Sequence, residues 1–168
     1  MAWNNVVLEN LKQVLAGSIV LAQSPKILQI LGMGSCIGII FYSPEKKLGG
    51  IAHVMLPSSK QALTPKLKGK YADTAIEELL RRFKKEQIAP KKIIVKIVGG
   101  SSMFPQRRKD MFDIATRNVE AVKDILEKKK LSIKGESTGG TKGRSLLFFL
   151  DSGEVQVFRA GGKLIKTI

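Results

Sequence analysis

The chain holds one thiol and one imidazole, Cys36 and His53. Cys36 follows Gly32-Met33-Gly34-Ser35, and His53 follows Gly49-Gly50-Ile51-Ala52. A thiolate is a strong nucleophile, but a free cysteine, with a pKa of about 8.5, is mostly protonated at neutral pH. An imidazole beside it can take that proton and later return it to a leaving group. Glycines ahead of the cysteine allow a tight turn and a close approach to substrate. Backbone amides around Gly34, Ser35 and Cys36 could then point at a developing oxyanion. The same two residues also fit ordinary core positions. Cys36 is followed by Ile37 and Ile39, and His53 lies between Ala52 and Val54.

Other chemistries lack their residues. Gly32-Met33-Gly34-Ser35-Cys36-Ile37 starts like a dinucleotide fingerprint but has Ile37 in place of the third glycine, and no acidic residue follows at the required distance. Neither a phosphate-binding G-x-x-x-x-G-K-[ST] loop nor a G-x-S-x-G serine elbow occurs. A single cysteine and a single histidine exclude zinc ribbons and fingers, and no metal site is expected. One cysteine also excludes a scaffold built on internal disulfides.

These residues must be positioned by a chain of 168 residues, the size of one domain. Its 43% hydrophobic and 26% charged residues are the balance of a folded domain rather than a disordered one. No apolar run approaches the roughly 18 residues of a membrane span, and no signal peptide is read at the start. A cytoplasmic protein, not membrane-embedded, is the expectation. The net charge is +15, and residues 60–110 carry +9 of it. Arg81-Arg82-Phe83-Lys84-Lys85, Lys91-Lys92 and Arg107-Arg108-Lys109 are the basic runs. Such a field attracts acidic partners. No nucleic-acid motif accompanies it, so nucleic acid is not an expected partner.

The patterning predicts a mixed α/β domain. Residues 6–15 fit a short helix or a leading strand. Strands are expected at 18–22 and 26–31 around Ser24-Pro25, at 37–42, and at 48–56 up to Pro57. Residues 57–70 read as a loop. Ala72, Ile76, Leu79, Leu80 and Phe83 form one helical stripe. Ile93–Val98 reads as a buried strand ended by Gly99-Gly100. A second helix is expected from about Asp110 to Lys130, with Met111, Ala115, Val119, Val122 and Leu126 on its stripe and Asn118 beside it. Gly139-Gly140 and Gly143 mark a loop. The stretches 144–150 and 154–159 flank Asp151-Ser152-Gly153 as a hairpin, and 164–168 adds a last strand. Strands mixed with two good helices give an α/β or α+β single domain.

Leu31-Gly32-Met33-Gly34-Ser35-Cys36 resembles the L-G-x-G-S-C signature of the chemoreceptor glutamine deamidase family, CheD. Gly49-Gly50-Ile51-Ala52-His53-Val54-Met55-Leu56-Pro57 is similar to its G-G-x-A-H-x-M-L-P signature. Further matches follow in order at Lys70–Ala75, Gly99–Phe104, Arg117–Val122 and Thr138–Ser145. The resemblance covers residues 14–168, with 1–13 as an N-terminal extension. It implies mixed sheets flanked by helices, like the catalytic domain of deamidating toxins, and a cofactor-free cysteine hydrolase. Its implied substrate is a set of glutamines on the cytoplasmic coiled coil of chemoreceptors. Cys36 would attack the carboxamide carbon and His53 would act as base and then acid. Backbone N–H groups around Gly34 and Ser35 would stabilise the oxyanion. Phe104 is a candidate partner contact. The family usually has a threonine six residues before the cysteine as the hydroxyl partner of the histidine, and here that residue is Ile30. The third group is therefore open between Gln29, Ser35 and a main-chain carbonyl. Ile30 also keeps a second expectation in play, a catalytically weak binding regulator of a CheC-type phosphatase.

Overall fold

Two stretches of the sequence are apolar at nearly every position, and both become strands with two buried faces. The structure is a computed structural model that describes residues 5–63, 67–103, 113–159 and 161–168. In it β4 (Ile37–Ser43) and β5 (Leu48–Val54) are buried throughout. Continuous apolar runs of this kind need cover on both sides. One side is supplied by a second sheet and the other by helices.

Ahead of these come α1 (Asn5–Asn10), β1 (Leu11–Gln13), β2 (Ile19–Gln23) and β3 (Ile27–Met33). After them come α2 (Ala72–Lys85), β6 (Ile94–Gly99), α3 (Ile114–Lys128), β7 (Ile133–Thr138), β8 (Arg144–Phe149), β9 (Val155–Arg159) and β10 (Leu164–Thr167). The first sheet has the order β1-β3-β8-β9-β10 and the second β2-β5-β4-β6-β7, and each mixes parallel with antiparallel neighbours. The mixed α/β expectation is met.

Strand alternation sorts the core into two layers. Ile37, Ile39, Phe41, Ala52 and Val54 of the second sheet join Ile76, Leu79, Phe83, Val122 and Leu126 of α2 and α3. Phe41 and Phe83 meet edge to face with centroids 5.6 Å apart. Such a pair adds about 0.5–1.5 kcal/mol beyond area burial. The opposite face carries Ile40, Tyr42, Ile51 and Val98 onto Leu28, Ile30, Leu146, Phe148 and Val157 of the first sheet. Gly38 lies on this inter-sheet face, and a Cβ there would meet Ile30 Cδ1 at 3.1 Å and Leu146 Cδ2 at 3.2 Å. Glycine permits that approach of the sheets.

Several sequence expectations take a more specific form. The helix-or-strand ambiguity at 6–15 resolves into both, α1 and then β1, which pairs in parallel with β3. The strands on either side of Ser24-Pro25 enter different sheets rather than forming a hairpin. β7 has no strand pattern in sequence. It is a polar edge strand that pairs in parallel with β6 after the α3 crossover. The second helix starts at Ile114 because Asp113 caps it, accepting from Ala115 N at 3.1 Å and Thr116 Oγ1 at 2.8 Å. Its expected residues 110–112, with Met111, lie outside the described residues, as do Phe104 and Arg107-Arg108-Lys109. Among the described residues no helix is long and apolar enough to cross a membrane.

Candidate active site

Strand register brings the thiol and the imidazole to the same end and face of the second sheet. The β4–β5 ladder pairs Gly38 with His53 and ends at Ile37 with Val54. Cys36 stands one residue beyond that end. By alternation its side chain shares the face of Gly38 and His53, diagonal to the imidazole. The core membership agrees, since Cys36 packs half-buried against the inter-sheet layer. Gly38 opposite His53 presents no side chain to compete for that face.

His53 is 6% exposed, and its Nδ1 lies 3.2 Å from the carbonyl oxygen of Val14. A carbonyl can only accept, so Nδ1 carries the proton of a neutral ring and Nε2 is left with its lone pair. The strand around His53 is fixed by two further bonds, His53 N to Ser18 O at 3.0 Å and Gly17 N to His53 O at 2.8 Å. Burial lowers the imidazole's pKa below its ordinary value, against a smaller opposing pull from the Val14 carbonyl. Burial raises that of the Cys36 thiol. Both shifts favour the neutral form of each group.

Before Cys36 the backbone turns its polar groups two ways. Gly34 O accepts from Ser101 N at 2.8 Å, Ser35 O from Asn118 Nδ2 at 2.9 Å, and Cys36 O from Gly100 N at 2.8 Å. All three carbonyls are thus tied back into the protein. None of the hydrogen bonds among the described residues uses the amide N–H of Gly34, Ser35 or Cys36. Gly99 allows the approach from behind. Its φ is +121°, and a Cβ there would collide with Cys36 O. Ser101, almost fully buried, donates to Lys142 O at 2.7 Å and accepts from Arg144 Nη1 at 2.9 Å, which backs this turn with β8.

Asn118 adds a second bond, Nδ2 to Met55 O at 3.0 Å. Arg117 beside it and Ile114 one turn earlier on α3 line a groove of about 390 Å³ together with Leu56, Pro57, Tyr71 and Lys60. Leu56 follows Met55, so the groove opens beside the thiol's end of the sheet.

Of the sequence candidates, Cys36 and His53 share one face at one end of the second sheet, and Gly34 and Ser35 lead into that end. Ile30 is fully buried on the inter-sheet face and brings no polar atom to the ring. Among the described residues the imidazole's hydrogen bond goes to a main-chain carbonyl and not to Gln29 or Ser35. Gln29 takes part through its backbone, where its carbonyl accepts from Val14 N at 2.7 Å. The sequence reading missed Val14, which acts through a backbone atom that carries no side-chain signal. It also missed Asn118, whose signal was a carboxamide on a helix face otherwise apolar. Among the described residues no cluster of His, Cys, Asp or Glu has the make-up of a metal site.

The family profile for CheD chemotactic sensory transduction matches residues 55–159. A probable chemoreceptor glutamine deamidase CheD of Caldanaerobacter subterraneus subsp. tengcongensis is 41% identical over 83% of this chain and 86% of its own length. One of Methanococcus vannielii is 40% identical over 93% of this chain and 98% of its own. A third, of Clostridium novyi, is 42% identical over 83% of this chain and 87% of its own. The profile match starts after Cys36 and His53, whereas a stretch covering 93% of the chain spans both.

Proposed function

Because this chain belongs to the CheD family, we propose that it is a protein-glutamine glutaminase of chemoreceptors with Cys36 as nucleophile and His53 as base. The observation that carries this reading is the opposed arrangement at the Cys36 turn, where three carbonyls are tied back and three amide N–H groups are left for a ligand.

The neutral resting pair sets the sequence of events. As Sγ bonds to the carboxamide carbon of a glutamine, its proton passes to Nε2, the ring nitrogen with a free lone pair. The ring becomes an imidazolium only then, and the Val14 carbonyl stabilises it through Nδ1–H. The oxygen of the tetrahedral adduct takes the negative charge, facing the amides of Gly34, Ser35 and Cys36. Collapse breaks the C–N bond while Nε2 returns the proton, releasing ammonia and leaving a thioester. Water then adds with its proton going to Nε2, the C–S bond breaks, and the thiol is restored beside a glutamate.

The substrate segment is a cytoplasmic coiled coil, and the protein acts in the cytoplasm. Glutamate-rich helices complement Lys60 and Arg117 at the groove beside the site, and the +15 charge speeds encounter. The regulator of a CheC-type phosphatase rested on the missing hydroxyl at Ile30. With Val14 O holding the imidazole, that residue no longer favours it.

The test is mass spectrometry of a receptor cytoplasmic fragment incubated with this protein and with its Cys36→Ala variant. Glutamine-to-glutamate conversion with the first and none with the second is the expected result. No conversion of a cognate receptor by the folded protein would overturn the reading.

A further inference from the structure

Asn118 is fully buried in α3, yet its carboxamide bonds to neither its own helix nor another side chain among the described residues. Its single nitrogen spans the two chain segments that carry the site. Ser35, one residue before the thiol, and Met55, two residues after the imidazole, both offer it their carbonyl oxygens. Those segments have no ladder between them at this point. Pairing stops at Ile37 with Val54, because Met55 N and Leu56 N turn away to Lys70 O at 2.9 and 3.0 Å. The side-chain amide thus closes a gap that the sheet leaves open.

The orientation of the amide is forced. Two carbonyl oxygens can be satisfied only by the NH2 end. The oxygen Oδ1 is then left buried with no partner among the described residues. A buried acceptor without a donor costs stability, and an apolar residue of similar volume would avoid that cost. A residue selected for packing alone would not leave it.

We propose that Asn118 is a positioning residue that fixes the Cys36 turn to the His53 strand, setting the separation of thiol and imidazole and the aim of the three amides. The inference rests on the catalytic pair proposed above. Asp113 serves it indirectly, because the cap sets the helical register that places Asn118 over both carbonyls.

Two variants test it, Asn118→Leu, which keeps the volume, and Asn118→Ala. Three quantities are read on the full chain: thermal stability, kcat and KM on a receptor fragment, and the pH profile of iodoacetamide alkylation. Cys36 is the lone cysteine, so alkylation reports on it without background. The folded variants are expected to lose about a hundredfold in kcat, the scale of a small misplacement of reacting groups, with KM unchanged. Alkylation is expected to become faster, its profile moving down toward an ordinary thiol as the turn loosens and Cys36 meets water. A thiol more reactive and a catalyst less active is a pattern that mere destabilisation does not give. A folded variant with parental kcat and alkylation profile overturns the inference, and so does failure of both variants to fold. If the parent protein converts no glutamine, the deamidase reading falls, and the alkylation profile alone decides the role of Asn118.

Discussion

At Glu78 three cations converge on one buried carboxylate, while at Cys36 a half-buried turn leaves its donors unused among the described residues. Arg81 grips Glu78 with Nε at 2.8 Å and Nη2 at 2.6 Å, Arg82 adds Nε at 2.8 Å, and Lys68 adds Nζ at 3.3 Å. The Arg81 bonds are the main reason its carboxyl is held far below the ordinary range. Both oxygens of that carboxylate have partners inside the protein. Around Cys36 the amides of three residues, the imidazole Nε2 and Asn118 Oδ1 have none among the described residues. A fold made only for stability would satisfy both regions. Unused donors and acceptors gathered at one end of a sheet support the ligand site proposed above.

Exchange experiments separate the two. Cys36→Ala removes the nucleophile and is expected to lower deamidation by at least about 10³-fold, roughly 4 kcal/mol of transition-state stabilisation, with almost no change in thermal stability. Glu78→Gln is expected to do the reverse. It strands three half-exposed cations, so a loss of about 2–3 kcal/mol is expected in urea melts, with kcat unchanged. Glu78 is depressed in the folded state, so its contribution is complete above the unfolded carboxylate pKa of about 4.3 and fades as pH falls through the lower folded value. The stability gap between parent and variant should therefore narrow below that pH. A gap that stays constant down to strongly acidic pH would remove the charge network from the account.

The neutral resting pair of the proposed mechanism makes a prediction of intermediate size. Alkylation of Cys36 should show no reactive plateau at acidic or neutral pH and should climb only above the ordinary thiol pKa of about 8.5. Deamidation should hold through neutral pH and fall below the ordinary imidazole pKa of about 6.5, where His53 gains its proton. A plateau at acidic pH would reveal a preformed ion pair and reverse the proton order proposed above. At the groove the effect is smaller. Arg117→Ala is expected to raise KM several-fold, on the order of 1 kcal/mol, and to weaken the salt dependence of association while leaving kcat alone.

The legible parts of the fold were those whose residues repeat with a period. The stripe of α2 and the continuous runs of β4 and β5 announce burial, and burial fixes them. β7 was silent because a polar edge strand packs little, and its place is set by β6 and the α3 crossover. The pair Cys36 and His53 was legible as residue types, but not as neighbours. Their place at one end and on one face of the sheet comes from an antiparallel register that pairs Gly38 with His53. Val14 could not be read at all, because a backbone carbonyl belongs to every residue and only the turn after β1 selects this one.

That selection leads to the smallest expected effect on activity and the sharpest comparison. Ile30 stands where family resemblance calls for a threonine, across the inter-sheet layer from Gly38, and it is wholly enclosed by the inter-sheet core. If Val14 O already holds Nδ1–H, a hydroxyl at this position gains no imidazole proton to accept. Ile30→Thr would then place a polar group among Leu146, Met33 and Gly38, costing about 1–2 kcal/mol of stability and leaving kcat unchanged. Paired stability and kinetic measurements on that one variant decide the matter. A tenfold rise in kcat, worth about 1.4 kcal/mol, would show that the ring is underheld by the carbonyl and that the hydroxyl supplies what is missing. Unchanged kcat with lowered stability would place Ile30 with the satisfied regions of the molecule, as packing rather than as a partner of the imidazole.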